Sequence, residues 1–71
     1  MLSNYDYSQL LGKIKAKRHT QASFSKVLGI SETSLNLSLN NKREFTQDEM
    51  VLACEELDIP LGDIATYFFA H

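Results

Sequence analysis

Apolar residues along this chain recur at spacings of three and four, with polar punctuation between the runs, which is the pattern of short amphipathic helices. In the first run Leu10 and Ile14 lie at i, i+4, with Tyr7 or Leu11 flanking. Asp6 or Ser8 can cap this helix, which is predicted to run to about Lys17. Residues 1–5 before it read as a loose terminus. Thr20 caps a second helix, Gln21 to Leu28, with Phe24, Val27 and Leu28 on one side. Gly29 follows where the chain needs a residue that tolerates positive φ. After a single apolar plug, Ile30, Ser31 caps a third helix that ends at Asn40-Asn41. Leu35 and Leu39 form its inner stripe, and Glu32 suits its positive end.

The clearest cap comes next. Thr46 and Glu49 form a T-x-x-E capping box, and Phe45 and Met50 make a hydrophobic staple across it. The fourth helix is predicted over Gln47 to about Leu57, with Met50, Ala53, Cys54 and Leu57 inward. Asp48, Glu49, Glu55 and Glu56 fall on or near its outer side. Asp58-Ile59-Pro60 breaks it, and Leu61-Gly62-Asp63 opens a fifth helix ending near Phe69. Ile64 and Phe68 share its stripe, whereas Phe69 is hard to bury on the same face. Two readings of Tyr67-Phe68-Phe69 stand side by side: two rings closing the bundle, or an exposed patch that docks another protein. The expected fold is an all-α compact bundle of about five short helices in a single domain, residues 1–71, with a helix-turn-helix at helices 2 and 3.

Composition changes this picture mainly through charge. An apolar share of 44% is that of a globular chain and argues against disorder, and a single proline with three glycines favours helices. The formal net charge of −2 conceals a polarity. Residues 1–43 carry all seven Lys and Arg against only Asp6 and Glu32, a balance of +5. Residues 44–71 carry seven carboxylates and no Lys or Arg, a balance of −7. Two faces with different partners are expected. Lys13, Lys15, Lys17, Arg18 and His19 gather near the end of the first helix, where cations suit the helix dipole and can also meet phosphate.

Thr20 to Ser31, T-Q-x-x-F-S-x-x-L-G-I-S, resembles the Cro and repressor type (lambda repressor-like) helix-turn-helix domain of temperate phages. The run SETSLNLSLNNK, with FTQDEM and LDIPLGDIATYFF after it, is most similar to the small Cro-like modulator-of-repression proteins of lactococcal and other Gram-positive temperate phages. That resemblance implies a regulator of the choice between lysis and lysogeny. It places Gln21 at a phosphate and against the recognition helix. Glu32 and Thr33 fall at base-facing positions, Asn36 one turn further along, and Asn40, Asn41 and Lys42 in the backbone-touching turn. The chemistry agrees, since Asn pairs with adenine, Thr meets a base or a thymine methyl, and Glu accepts from cytosine N4. Lys17, Arg18 and Arg43 are candidate phosphate contacts.

Departures from the family pattern are also legible. Ser31 to Asn40 contains no Lys or Arg, Leu37 stands near a usual polar reader, and Ser38 stands where relatives often have Lys. Asn41 replaces the usual turn glycine. Two functions are therefore carried forward. One is a DNA-binding regulator on operator DNA, expected as a homodimer on a two-fold site. The other is an antirepressor that docks on the cognate phage repressor through a surface including Leu37, Asp48, Glu49, Glu55, Glu56 and Phe69. An enzyme is not expected. His19 and His71 lack partners at metal-ligand spacing, and no nucleophile constellation or phosphate-cradling loop is present. No cofactor, metal, small-molecule ligand or membrane is expected as a partner. Cys54 reads as a small core residue, and the bacterial cytoplasm is the expected location.

Overall fold

Each helix of the computed structural model, which describes residues 4–71, starts at a hydrogen-bonded cap or a structural turn. The order is α1 (Ser8–Ala16), α2 (Gln21–Leu28), α3 (Glu32–Leu39), α4 (Gln47–Leu57) and α5 (Ile64–Phe68), with a 3₁₀ turn at Leu61–Asp63 leading into α5. No strand occurs among the described residues, and the architecture is an all-α bundle. The Ser8 N–H donates to Asp6 Oδ1 at 2.8 Å, so Asp6 serves the first turn of α1. That bond holds the Asp6 carboxyl below its ordinary range. In α2 the box is reciprocal: the Ser23 N–H donates to Thr20 Oγ1 at 3.1 Å, and the Thr20 N–H donates to Ser23 Oγ at 3.0 Å. Ser31 caps α3 by accepting from the Ser34 N–H at 3.0 Å. The predicted box of α4 is present, with the Glu49 N–H on Thr46 Oγ1 and the Thr46 N–H on Glu49 Oε1. Each such cap contributes about 1 kcal/mol.

Four helices end on a left-handed residue: Arg18 (φ 62°), Gly29 (72°), Asn41 (61°) and Asp58 (56°). In each case the next N–H reaches back into the helix: His19 to the Ile14 carbonyl, Ile30 to Ser25, Lys42 to Leu37 and Ile59 to Cys54. Gly29 adopts this conformation without the Cβ clash that the other three residues bear.

The core gathers Leu10 and Ile14 of α1, Phe24 and Leu28 of α2, Leu35 of α3, Ala53, Cys54 and Leu57 of α4, and Phe68 of α5. Tyr7, Phe45 and Ile59 close it from the connecting segments. Each large side chain removed from water contributes about 2 kcal/mol. α2 packs on both α3 and α4, while α5 packs on α1 and α4. Tyr7, not Leu11, flanks the α1 stripe, because Tyr7 is buried and stacks edge-on to Phe45 at 5.5 Å.

The N-terminal segment differs from its expected looseness where the structure describes it; residues 1–3 lie outside the described residues. The Tyr5 N–H donates to Asn41 Oδ1 at 2.8 Å, and Asn41 Nδ2 donates to the Tyr5 carbonyl at 2.9 Å. The Asp6 N–H donates to the Ala70 carbonyl at 2.7 Å. This segment is therefore tied both to the end of α3 and to the end of the chain.

Candidate functional site

Two surfaces carry the candidate chemistry. The first is the outward stripe of α3. Leu35 and Ser38 are buried, which turns Thr33, Asn36, Leu37 and Asn40 outward at helical spacing. Glu32 is exposed at the first helical position. Asn36 Nδ2 donates to Gln21 Oε1 at 3.4 Å, which brings the start of α2 onto the stripe. Asn40 Nδ2 donates to the Asn36 carbonyl at 2.8 Å. Gln21, Asn36 and Asn40 thus form one row of amides, with Thr33 and Leu37 beside it and Lys42 exposed just beyond.

Several expected contacts are turned elsewhere. Asn41 directs both atoms of its amide to Tyr5, because the left-handed turn points the side chain back at the N-terminal segment. Arg43 is bidentate on Glu49, with Nη1 on Oε1 at 3.0 Å and Nη2 on Oε2 at 2.7 Å, and Nη1 also donates to Ser38 Oγ at 2.8 Å. The guanidinium holds the Glu49 carboxyl below its usual range, and Arg43 is shifted upward by the same bond. Glu49 is only 6% exposed, so its expected place on an outer docking surface is corrected. The capping box draws it inward, and Arg43 balances the charge that results. Arg43, for its part, faces its own fold and not solvent phosphate. Lys17 pairs with Asp58 across the α1 and α4 ends, and this pairing lowers the Asp58 carboxyl. Arg18 remains exposed.

The second surface belongs to the C-terminal half. Asp48 and Glu55 are exposed on α4. Glu56 receives His19 Nε2 at 2.7 Å, while His19 Nδ1 meets Ser23 Oγ at 2.9 Å, so this carboxylate braces the start of α2. Among the described residues the exposed large apolar side chains are Leu37, on the α3 stripe, and Val51, Leu52, Leu61 and Phe69 in this half. Phe69 is 41% exposed, whereas Phe68 beside it is buried at 2%. One ring closes the bundle and the next faces outward. Tyr5 stacks on Phe69 edge-to-face at 5.6 Å and on His71 at 5.0 Å. A concavity of about 190 Å³ opens here among Tyr5, Tyr7, Phe45, Met50, Phe68 and Phe69, with Glu44 on its polar side. A shallower groove continues from Met50 and Phe69 to Gln47, Val51 and Ile64.

Tyr5, Glu44 and Met50 are among the members of this surface that sequence reasoning missed as site residues. Tyr5 carries no local signal, since its hydrogen-bond partner is 36 positions away. Glu44 and Met50 flank the staple, which signals a helix start and nothing about a concavity. Among the described residues no group of three His, Cys, Asp or Glu side chains is placed to hold a metal ion. Burial raises the Cys54 thiol, which suits a packed core residue. No described helix is long and apolar enough to cross a membrane.

Comparison with known proteins follows the same outline. No curated protein sequence matches. Among solved structures, the chain is similar to the solution structure of the modulator of repression (MOR) of the temperate bacteriophage TP901-1 from Lactococcus lactis. The two are 44% identical with a TM-score of 0.77, over 93% of this chain and 89% of that one. The family described as "Protein of unknown function (DUF739)" matches residues 3–71. With a family match across residues 3–71 and a fold similar to that of a phage modulator of repression, this protein belongs to the DUF739 family.

Proposed function

We propose that this chain modulates repression in a phage lysis/lysogeny switch, as a binding protein and not an enzyme, by docking on the cognate repressor. Its 44% identity to a phage modulator of repression supports the setting. The observation that carries the mode of action is how the charges are used. Two of the candidate phosphate cations are already paired, Arg43 with Glu49 and, at the surface, Lys17 with Asp58; α3 has none, and Arg18 and Lys42 stay exposed. Carboxylates of the C-terminal half stay free instead: Asp48 and Glu55 are exposed on α4, and Glu44 is exposed at the open aromatic concavity. A surface of that kind complements the basic DNA-reading face of a repressor, speeds the encounter and excludes DNA from the same face.

The test is an anisotropy titration against the neighbouring repressor's DNA-binding domain, with the double variant Asp48→Lys, Glu55→Lys in parallel. Reversal is expected to weaken the complex by about tenfold or more, mostly through association rate at low salt. An unchanged affinity for the reversed variant would sink the reading.

A second reading has its own observation. The amide row Gln21–Asn36–Asn40 and the exposed Thr33 carry the chemistry that reads bases and phosphates, which supports the mode of the Cro and repressor type domain. On this reading the chain binds operator DNA, as a homodimer on a two-fold site. Saturable, salt-sensitive binding to DNA flanking its own gene, lost in the Thr33→Ala, Asn36→Ala variant, would favour it.

A further inference from the structure

We propose that the aromatic concavity between the N-terminal segment and α5 receives one cationic side chain, Lys or Arg, from a protein partner, with Glu44 as the counter-charge. The inference rests on the protein-docking reading above and names what that surface takes. The walls are rings set at steep angles to one another: Tyr5–Phe69 at 78°, Tyr7–Phe45 at 78° and Phe45–Phe68 at 82°. Tyr7, Phe45 and Phe68 are buried and form the floor, while Tyr5 is half-buried and Phe69 is 41% exposed, so these two rings are the ones a cation can meet. The concavity, at about 190 Å³ and open to solvent, admits the head and upper stem of a long side chain.

Charge selects the occupant. Of the polar side chains lining the concavity, Asn41 is engaged by Tyr5, and Arg43 is neutralised by Glu49. Glu44 is exposed and makes no ion pair among the described residues. Glu44 acts on the rings as well, since its charge adds to the burial and the Tyr5 influence that push the Tyr7 hydroxyl upward. Residues 44–71 contain no Lys or Arg. An anion is repelled by this field. A second copy meeting the same face about a two-fold axis would oppose carboxylate to carboxylate. An apolar side chain would fill the rings but leave Glu44 unused.

The experiment is an NMR titration of the full chain with Nα-acetyl-arginine methylamide and Nα-acetyl-lysine methylamide, using Nα-acetyl-norleucine methylamide as the uncharged comparator. Saturable shifts centred on Tyr5, Glu44 and Phe69 are expected from the cationic probes. Norleucine is expected to bind about threefold or more weakly, and Glu44→Gln to weaken the arginine probe by roughly two- to fivefold. Equal binding of norleucine would make the site an apolar one, and absence of shifts would make it no site; either overturns the proposal. Glu44→Gln is then titrated with the repressor domain. Repressor binding that ignores Glu44→Gln overturns the cation site and leaves the docking function standing. Arginine saturation without any repressor binding does the reverse.

Discussion

The α3 stripe and the aromatic face around Phe69 lie at the two ends of one short clasp, yet they use their polar groups in opposite ways. On the α3 side most polar groups are already engaged, Gln21 with Asn36, Asn40 with Asn36, and Arg43 with Glu49 and Ser38, while Lys42 stays exposed. On the other side, the Glu44 carboxylate and the Phe69 ring are left facing solvent, and Asp48 and Glu55 are exposed on α4. The difference teaches that a helix-turn-helix outline does not by itself say which surface meets a partner. What a surface can bind depends on the groups that the rest of the fold has not already engaged.

The largest effect that would sharpen this contrast comes from the Arg43–Glu49 pair. Glu49→Gln leaves a guanidinium with no counter-charge and weakens the α4 box. A loss of about 2 kcal/mol is expected at neutral pH, below the range for a fully buried pair because Arg43 is 28% exposed. The pH sign follows from the lowered Glu49 carboxyl. Stability is fully present above the ordinary carboxylate range and is lost as pH falls through the lower folded value. Chemical denaturation of the parent and the Gln variant from pH 3 to 7 should show the parent declining more steeply on acidification. Parallel curves would mean that the pair contributes little, and that Arg43 is in effect available to a phosphate.

A smaller effect tests the clasp between the two regions. Asn41→Gly keeps the left-handed turn and removes both bonds to Tyr5. Global stability should fall by about 1 kcal/mol or less, since glycine relieves backbone strain while two hydrogen bonds are lost. Amide exchange at Tyr5 should accelerate by roughly tenfold. If exchange at Tyr5 is unchanged, the N-terminal segment is held by its ring contacts alone.

The smallest effect concerns Arg18, exposed and left-handed at φ 62°. Arg18→Gly should raise stability by about 0.5 kcal/mol, the relief of the Cβ clash less the extra freedom of glycine in the unfolded chain. A thermal melt that moves downward instead would reveal a contact of the Arg18 side chain in the folded protein.

Sequence alone determined the helices, because the signals that place them are local. Thr20, Ser31 and Thr46 each act on an N–H three residues away, and Gly29 needs only its own φ. The inner residues Leu10, Ile14, Phe24, Leu28, Leu35, Ala53, Cys54, Leu57 and Phe68 follow from helical periodicity and are buried, whereas Val27, Leu39 and Met50, expected inward by the same periodicity, are half-buried. The candidate amide row was legible in part, because Asn36 and Asn40 are one turn apart on one helix. Tertiary structure decided which charges stay free. Tyr5 reaches Asn41 across 36 positions, His19 reaches Glu56 across 37 and Lys17 reaches Asp58 across 41. Glu49 shows both levels at once. Its spacing from Thr46 announces the cap, but its inward turn onto Arg43 depends on how the loop before α4 returns against Ser38. A periodic pattern specifies which face of a helix is buried. Which solvent-facing carboxylate meets a cation depends on distances that exist only after the helices have packed.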